Sequence, residues 1–257
     1  AVAKEEQPGV EFKNVSLTYS GSGASSVEGI NFKAMKGQTI GVIGGTGSGK
    51  SSLVNLIPRL YDATQGEVLV DGVNVKDYDI EALRNKVGIV MQKAVLFKGT
   101  IRENMWMGKK GATDEQIDEA LEISQSKEFV DSKQGRLDYV IEQGGKNLSG
   151  GQRQRLTIAR AIVRKPDVLI LDDSASALDF ATDAALRKAI RGMNNSPTVF
   201  IVSQRAASLM YADLIIVLDD GQVAGMGTHD ELLANCEVYK EIYESQFKKA
   251  DSEGGVA

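Results

Sequence analysis

The sequence predicts an α/β fold with a sheet core and an inserted helical segment. Three observations carry this. Short apolar runs of strand length recur along the chain, the early ones with period-2 alternation. A glycine-rich loop, Gly44 to Ser51, stands between one such run and a helical pattern. Late in the chain, fully apolar runs alternate with helical patterns, as buried parallel strands joined by crossover helices do.

Taken in order, Val10 to Tyr19, Ile30 to Met35, Thr39 to Ile43 and Glu67 to Val70 are expected strands, giving an antiparallel, β-rich start. The stretch GGTGSGKSSLVNLIPRL is a loop that opens a helix, and Val87 to Gln92 is another short strand. The middle turns helical. Thr113-Asp114-Glu115-Gln116 is a capping box, with Thr at the N-cap and Gln at N3, and helical pattern resumes from Lys127. GGQRQRLTIARAIVRKP starts at a glycine turn and stops before Pro166, as a helix does. Val168 to Leu171 and Thr198 to Val202 are buried strands on either side of a helical pattern from Asp183 to Met193. Asp220-Gly221 is a hairpin turn between Leu214–Leu218 and Gln222–Ala224. Thr228-His229-Asp230-Glu231 is a second capping box that opens the last helices. The expected organisation is one domain over 1–257. Its core and β subdomain cover approximately 10–92 and 166–245, a helical subdomain covers 93–165, and a polar tail covers 246–257.

Composition narrows the function. The 257 residues are 42% apolar and 25% charged, which is ordinary for a soluble globular chain. A net charge of −5 argues against a nucleic-acid surface. One cysteine, Cys236, excludes an internal disulfide, and one histidine, His229, excludes a multi-histidine metal site. No apolar run approaches the ~18 residues that span a bilayer. The opening AVAKEEQPG has neither a signal-peptide core nor an initiator Met, so the chain is expected to be an excised domain or a processed product.

Gly44-Gly45-Thr46-Gly47-Ser48-Gly49-Lys50-Ser51 matches G-x-x-x-x-G-K-[ST] in full, with a strand before it and a helix after it. Glycines let backbone N–H groups close around phosphates. Lys50 is expected to reach the β- and γ-phosphates and the Ser51 hydroxyl to ligate Mg²⁺. Asp172, at the end of an apolar strand, is expected to hold the same Mg²⁺. A strand ending in Asp is common; beside a phosphate loop it gains a function.

Leu148-Ser149-Gly150-Gly151-Gln152, followed by RQRLTIARAIVRKPDVLILDD, resembles the signature of the nucleotide-binding domain of ATP-binding cassette (ABC) transporters. The resemblance covers nearly the whole chain. It implies a P-loop NTPase (RecA-like) core with an antiparallel β subdomain and an inserted α-helical subdomain. It also implies ATP and Mg²⁺ as ligands and a head-to-tail pair of domains, each signature completing the partner's ATP site. By the same resemblance Tyr19 stacks on adenine, Ser52 joins the phosphate loop, and Gln92 touches Mg²⁺ and water. Ser176-Ala177-Leu178-Asp179 crosses to the partner's site. The run LFKGTIRENM resembles exporters rather than importers, and Gly144-Gly145 sits where exporters contact their membrane domain.

Two positions depart from the family. Asp173 stands where the family usually has the Glu that orients or deprotonates water, and Gln204 stands where it usually has a γ-phosphate-sensing His. A positioned general base is worth ~10²–10⁴ in rate. Asp is one methylene shorter than Glu, and a misplacement of about 1 Å can cost ~10². Gln204 donates a hydrogen bond but carries no charge. The lone His229 lies in a helix cap and does not replace it.

The expectation is an ATPase module of an exporter on the cytoplasmic face of the cell membrane. It binds ATP at its own loop, hydrolyses it slowly there, and lends its signature to a non-identical partner domain. A transmembrane domain is the other expected partner, and nucleic acid is not one. The competing readings are a symmetric homodimeric exporter that tolerates Asp173 and Gln204, a soluble ABC protein acting on DNA or ribosomes, and a nucleotide-binding regulator that never hydrolyses. The transported cargo is not encoded in this chain.

Overall fold

The computed structural model describes residues 7–173 and 177–253, with 247–253 as backbone only. In chain order the first elements are β1 (Pro8–Leu17), β2 (Val27–Met35), β3 (Thr39–Gly44), α1 (Lys50–Asn55), β4 (Gln65–Val70), β5 (Val73–Asn74) and α2 (Ile80–Lys86). Then follow β6 (Val87–Val90), β7 (Gly99–Thr100), α3 (Ile101–Trp106), α4 (Asp114–Ile123), α5 (Lys127–Asp131), β8 (Val140–Ile141), α6 (Gly150–Ile162), β9 (Val168–Asp172) and α7 (Phe180–Arg191). The last are β10 (Thr198–Val202), β11 (Leu214–Asp219), β12 (Gln222–Gly227), α8 (His229–Asn235) and α9 (Glu237–Glu253). They fall into two compact units, Ala1–Arg84 with Thr198–Ala257, and Asn85–Pro197.

The first unit holds two kinds of strand. β1, β2, β4 and β5 form an antiparallel sheet in the order β2-β1-β4-β5. Val10, Phe12 and Val15 of β1 are buried, and Phe12 stacks on its register partner Phe32 with ring centroids 4.6 Å apart. β3 belongs elsewhere. It lies between β11 and β10 and runs parallel to both, with β12 pairing antiparallel on the far side of β11. The expected antiparallel, β-rich start therefore does not include the run Thr39 to Ile43. The physical reason is in the residues: TIGVIG has no polar alternation and is buried throughout, as a strand covered on both faces must be. The parallel placement leaves the carboxyl end of β3 at the glycine loop, where α/β sheets bind ligands. The expected hairpin turn is present, with left-handed φ of 45° at Asp220 and 78° at Gly221, the pairing a type I′ turn requires.

In the second unit β6 and β9 pair in parallel and α6 packs against β6. Here Gly88 is a contact requirement: a Cβ would come within 2.9 Å of the Ala161 carbonyl oxygen. Leu156, Ile158, Ala159 and Ile162 form the buried stripe of α6, and α3 and α4 pack around it.

The exporter-like run LFKGTIRENM has a structural explanation in this unit. Thr100 and Glu103 close a capping box on α3. Arg102 pairs with Asp114 and Asp138. Asn104 is fully buried; its amide accepts from the Phe97 N–H at 3.0 Å and donates to the carbonyls of Phe97 at 2.9 Å and Thr100 at 3.0 Å. These bonds fold the chain back on itself and leave Val95 and Phe97 on the surface. Asn104→Ala removes three bonds and strands part-buried backbone groups, so a loss of about 2–4 kcal/mol is expected. Thermal unfolding should shift down by roughly 5–10 °C. A Tm within 2 °C of wild type (an approximate experimental margin) would contradict the role assigned to Asn104.

Candidate functional site

In the first unit the phosphate loop leaves β3 at Gly44 and enters α1 at Lys50. Its glycines differ in what requires them. At Gly44 a Cβ would lie 2.2 Å from the Leu218 carbonyl oxygen and 2.4 Å from Ser48 Oγ. At Gly49 φ is 97° and a Cβ would lie 2.4 Å from the Ser26 carbonyl oxygen. At Gly45 a Cβ would meet nothing within 4 Å, and the backbone is not left-handed. Packing therefore accounts for Gly44 and Gly49 but not for Gly45. Gly45 is an x position of G-x-x-x-x-G-K-[ST], where the pattern allows any residue.

Lys50 is 9% exposed and folds back over the loop. Its Nζ donates to the carbonyls of Gly44 at 2.9 Å and Gly45 at 2.6 Å. Thr46 and Ser51 are exposed, while Ser48 is buried. The Tyr19 hydroxyl shares a 2.9 Å hydrogen bond with Ser52 Oγ, and the Tyr19 ring meets Tyr61 edge-on at 4.9 Å. Tyr19 and Ser52, singled out separately by the sequence, are thus joined, and Tyr61 is a neighbour the sequence reading did not contain.

Gln204 follows β10 and is exposed. The backbone around it is tied: Ser203 Oγ accepts from the Arg205 N–H at 3.0 Å, and the Ser203 N–H donates to the Val42 carbonyl at 3.1 Å. His229 opens α8 and shares a 2.8 Å hydrogen bond between its Nδ1 and the hydroxyl of the buried Tyr239. Burial raises the Tyr239 phenol to about 12. This His is a structural partner of α9.

In the second unit Asp172 ends β9 and is 5% exposed. Asp173 follows with φ of 44°, a left-handed conformation that Asp tolerates better than most residues. Gln92 Nε2 donates to Asp173 Oδ2 at 3.3 Å, so two of the expected catalytic residues touch.

The signature is a helix cap. Ser149 Oγ accepts from the Gln152 N–H at 3.2 Å, and Gln152 Oε1 accepts from the Ser149 N–H at 3.1 Å. S-G-G-Q is thus a capping box on the 13-residue helix α6. A Cβ at Gly150 would have its closest neighbour at 3.9 Å, an ordinary contact, so packing does not demand glycine there. Arg153, absent from the expected site, donates from Nη1 to the Leu148 carbonyl at 2.7 Å and the Gly145 carbonyl at 3.3 Å. A cation one turn into a glycine-opened helix was the legible signal for it.

Of the expected partner-crossing loop, Ser176 lies outside the described residues. Ala177 is exposed and Leu178 half-buried. Asp179 has a local role: it is the N-cap of α7, accepting from the Thr182 N–H at 2.9 Å and the Thr182 hydroxyl at 2.7 Å. The Thr182 N–H is the main reason its carboxyl sits below the usual carboxylate range.

These donors fit a magnesium nucleotide. The loop offers a buried ammonium, left-handed Gly47 and Gly49 that turn its backbone, and an exposed Ser51 hydroxyl. Among the described residues no three His, Cys, Asp or Glu side chains gather into a metal cage. Mg²⁺ does not ask for one, since one or two protein oxygens complete a shell otherwise made of phosphates and water.

A loop of this make, at the carboxyl end of a central parallel strand, defines a P-loop nucleotide-binding protein with a mixed α/β fold. The sequence profile of the ABC transporter family matches residues 27–176, and the chain belongs to that family. It is 43% identical over 244 residues to YfiB of Bacillus subtilis strain 168, an uncharacterised ABC transporter ATP-binding protein, covering 95% of this chain and 42% of that one. It is 40% identical over 246 residues to YgaD of the same strain, provisionally named a multidrug export ATP-binding/permease protein, covering 96% of this chain and 41% of that one. Among solved structures it resembles a bacterial Atm1-family ABC exporter with ATP bound, with a TM-score of 0.87 and 32% identity over 93% of this chain and 42% of that one. The chain thus spans about two fifths of the length of these relatives. Among the described residues no helix is long and apolar enough to cross a membrane.

Proposed function

We propose that this chain is the ATP-binding and ATP-hydrolysing module of an exporter-type ABC transporter, a single nucleotide-binding domain whose segment near 93–165 carries the signature. The observation that carries the reading is an asymmetry between two sets of residues. The binding set is complete: Lys50 on the Gly44 and Gly45 carbonyls, Tyr19 joined to Ser52, Ser51 exposed, and Asp172 at its strand end. The hydrolytic set is weakened: Asp173 is one methylene short of Glu, and Gln204 is uncharged. By their motifs Ser51 and Asp172 are the residues that would hold Mg²⁺, which would neutralise charge on the phosphates. Tyr19 supports the base, Lys50 the terminal phosphates, and Gln92 orients water beside Asp173.

Each such site is completed by a second nucleotide-binding domain. The Leu148–Gln152 signature serves that partner's site, and the partner is a non-identical domain with a competent hydrolytic set. A transmembrane domain, in this chain or an associated one, places the module at the cytoplasmic face of a membrane. The multidrug-export name of YgaD and the exporter structure support this direction of transport. The net charge of −5 supports the absence of a nucleic-acid partner.

The test is nucleotide trapping in the assembled protein. One slowly exchanging ATP per pair of domains, with turnover confined to the other site, is expected. Two equivalent sites would favour the symmetric homodimer instead.

A further inference from the structure

Gln246 lies on α9, 42 residues along the chain from Gln204. Its side-chain amide donates from Nε2 to the Gln204 carbonyl at 2.7 Å and accepts at Oε1 from the Ala206 N–H at 2.9 Å. One planar group thus bonds the backbone on both sides of Arg205. Together with the Ser203 Oγ bond to the Arg205 N–H and the Ser203 N–H bond to Val42, it fixes the segment 203–206 at four points. No bond in this set uses the Gln204 side chain. The segment presents residue 204 to solvent on a backbone bonded at these four points.

We propose that Gln246 is a positioning residue for position 204, so that the last helix sets how this site distinguishes ATP from ADP. The proposal rests on the reading of Gln204 as the γ-phosphate contact. Only ATP offers a γ-phosphate, so a loosened backbone there affects ATP and leaves ADP binding alone. A fixed backbone matters more for glutamine than for a charged residue, because a neutral hydrogen bond is short-ranged and needs its donor aimed.

The experiment compares wild type with Gln246→Leu, which removes both bonds at similar volume, and Gln246→Glu, which keeps the acceptor and loses the donor. Two quantities are read in the assembled protein: ATP and ADP affinities, and hydrogen exchange of the Ala206 amide. For Gln246→Leu, exchange at Ala206 should rise about fivefold, the factor one neutral hydrogen bond supports. The ATP-over-ADP affinity ratio should fall by about the same factor, with ADP affinity unchanged. For Gln246→Glu, Ala206 should stay protected while the ratio still falls. Unchanged exchange at Ala206 in Gln246→Leu overturns the clamp. Equal losses for ATP and ADP overturn its γ-phosphate role. The exchange result stands apart from the functional reading: wild type that fails to bind ATP would sink that reading, while Ala206 still reports on the clamp.

Discussion

Lys50→Met should lower ATP affinity by at least ~10²-fold, measured by calorimetric titration or a fluorescent ATP analogue. The ammonium has two tasks. It supplies positive charge for the terminal phosphates, and it ties the loop by bonds to the carbonyls of Gly44 and Gly45. The affinity term is the ammonium's bonding to the phosphates: hydrogen bonds to charged groups are worth about 1.5–3 kcal/mol each, so losing two of them exceeds the ~2.7 kcal/mol that a hundredfold change requires. Lys50→Arg is not a rescue. A guanidinium is a planar fork, and this buried nook bonds a compact point charge. ATP binding by Lys50→Met within about threefold of wild type, a difference of under ~1 kcal/mol, would remove the loop from the account.

Gly45→Ala should leave nucleotide binding close to wild type and stability within about 0.5 kcal/mol of it, since Gly45 is an x position of G-x-x-x-x-G-K-[ST]. Its Cβ meets nothing within 4 Å in the protein, and its backbone is not left-handed, so the folded chain has no reason to object. Gly44→Ala is the contrasting case. There the added carbon meets the Leu218 carbonyl at 2.2 Å, and Leu218 is the register partner of Gly44 across the β3–β11 ladder. Neither strand can retreat without breaking parallel hydrogen bonds. A loss of about 3 kcal/mol or more is expected, visible in denaturant unfolding without any nucleotide present. If the two substitutions behave alike, the distinction between the packed Gly44 and the unconstrained Gly45 is wrong.

How much of this was legible in the sequence differs by element. The buried strand Thr198–Val202 has the expected boundaries because five consecutive apolar or β-branched residues bounded by Pro197 and Ser203 leave no alternative. The capping boxes at Thr113 and Thr228 were legible from spacing alone, and both are formed. The same spacing hides inside Leu148–Gln152, where function draws attention from the cap. It hides again at Thr100–Glu103, where a two-residue strand precedes the helix. The helix after the phosphate loop is shorter than its apolar pattern suggests, ending at Asn55. Leu53, Val54, Leu56 and Ile57 are buried, but Pro58 stops the α-helix before the pattern does. The parallel placement of β3 could be read only by noticing that TIGVIG lacks alternation.

Local structure was legible where motif and chemistry coincide: a buried Lys50 at the start of a helix after a glycine loop, and Asp172 at a strand end. It was not legible where long-range packing decides. Nothing in the sequence ties Gln246 to Gln204 or Tyr61 to Tyr19. Asp179, expected to act across a dimer, also caps its own helix, a role its D-x-x-T spacing allowed.

The central claim is that this site holds ATP and hydrolyses it slowly because of two residues. Steady-state ATP turnover should be compared between wild type and the double variant Asp173→Glu with Gln204→His, with the partner's hydrolytic residues disabled. The account predicts slow turnover in wild type and an increase of roughly 10²-fold in the double variant. Ordinary turnover in wild type that the double variant does not raise would contradict it.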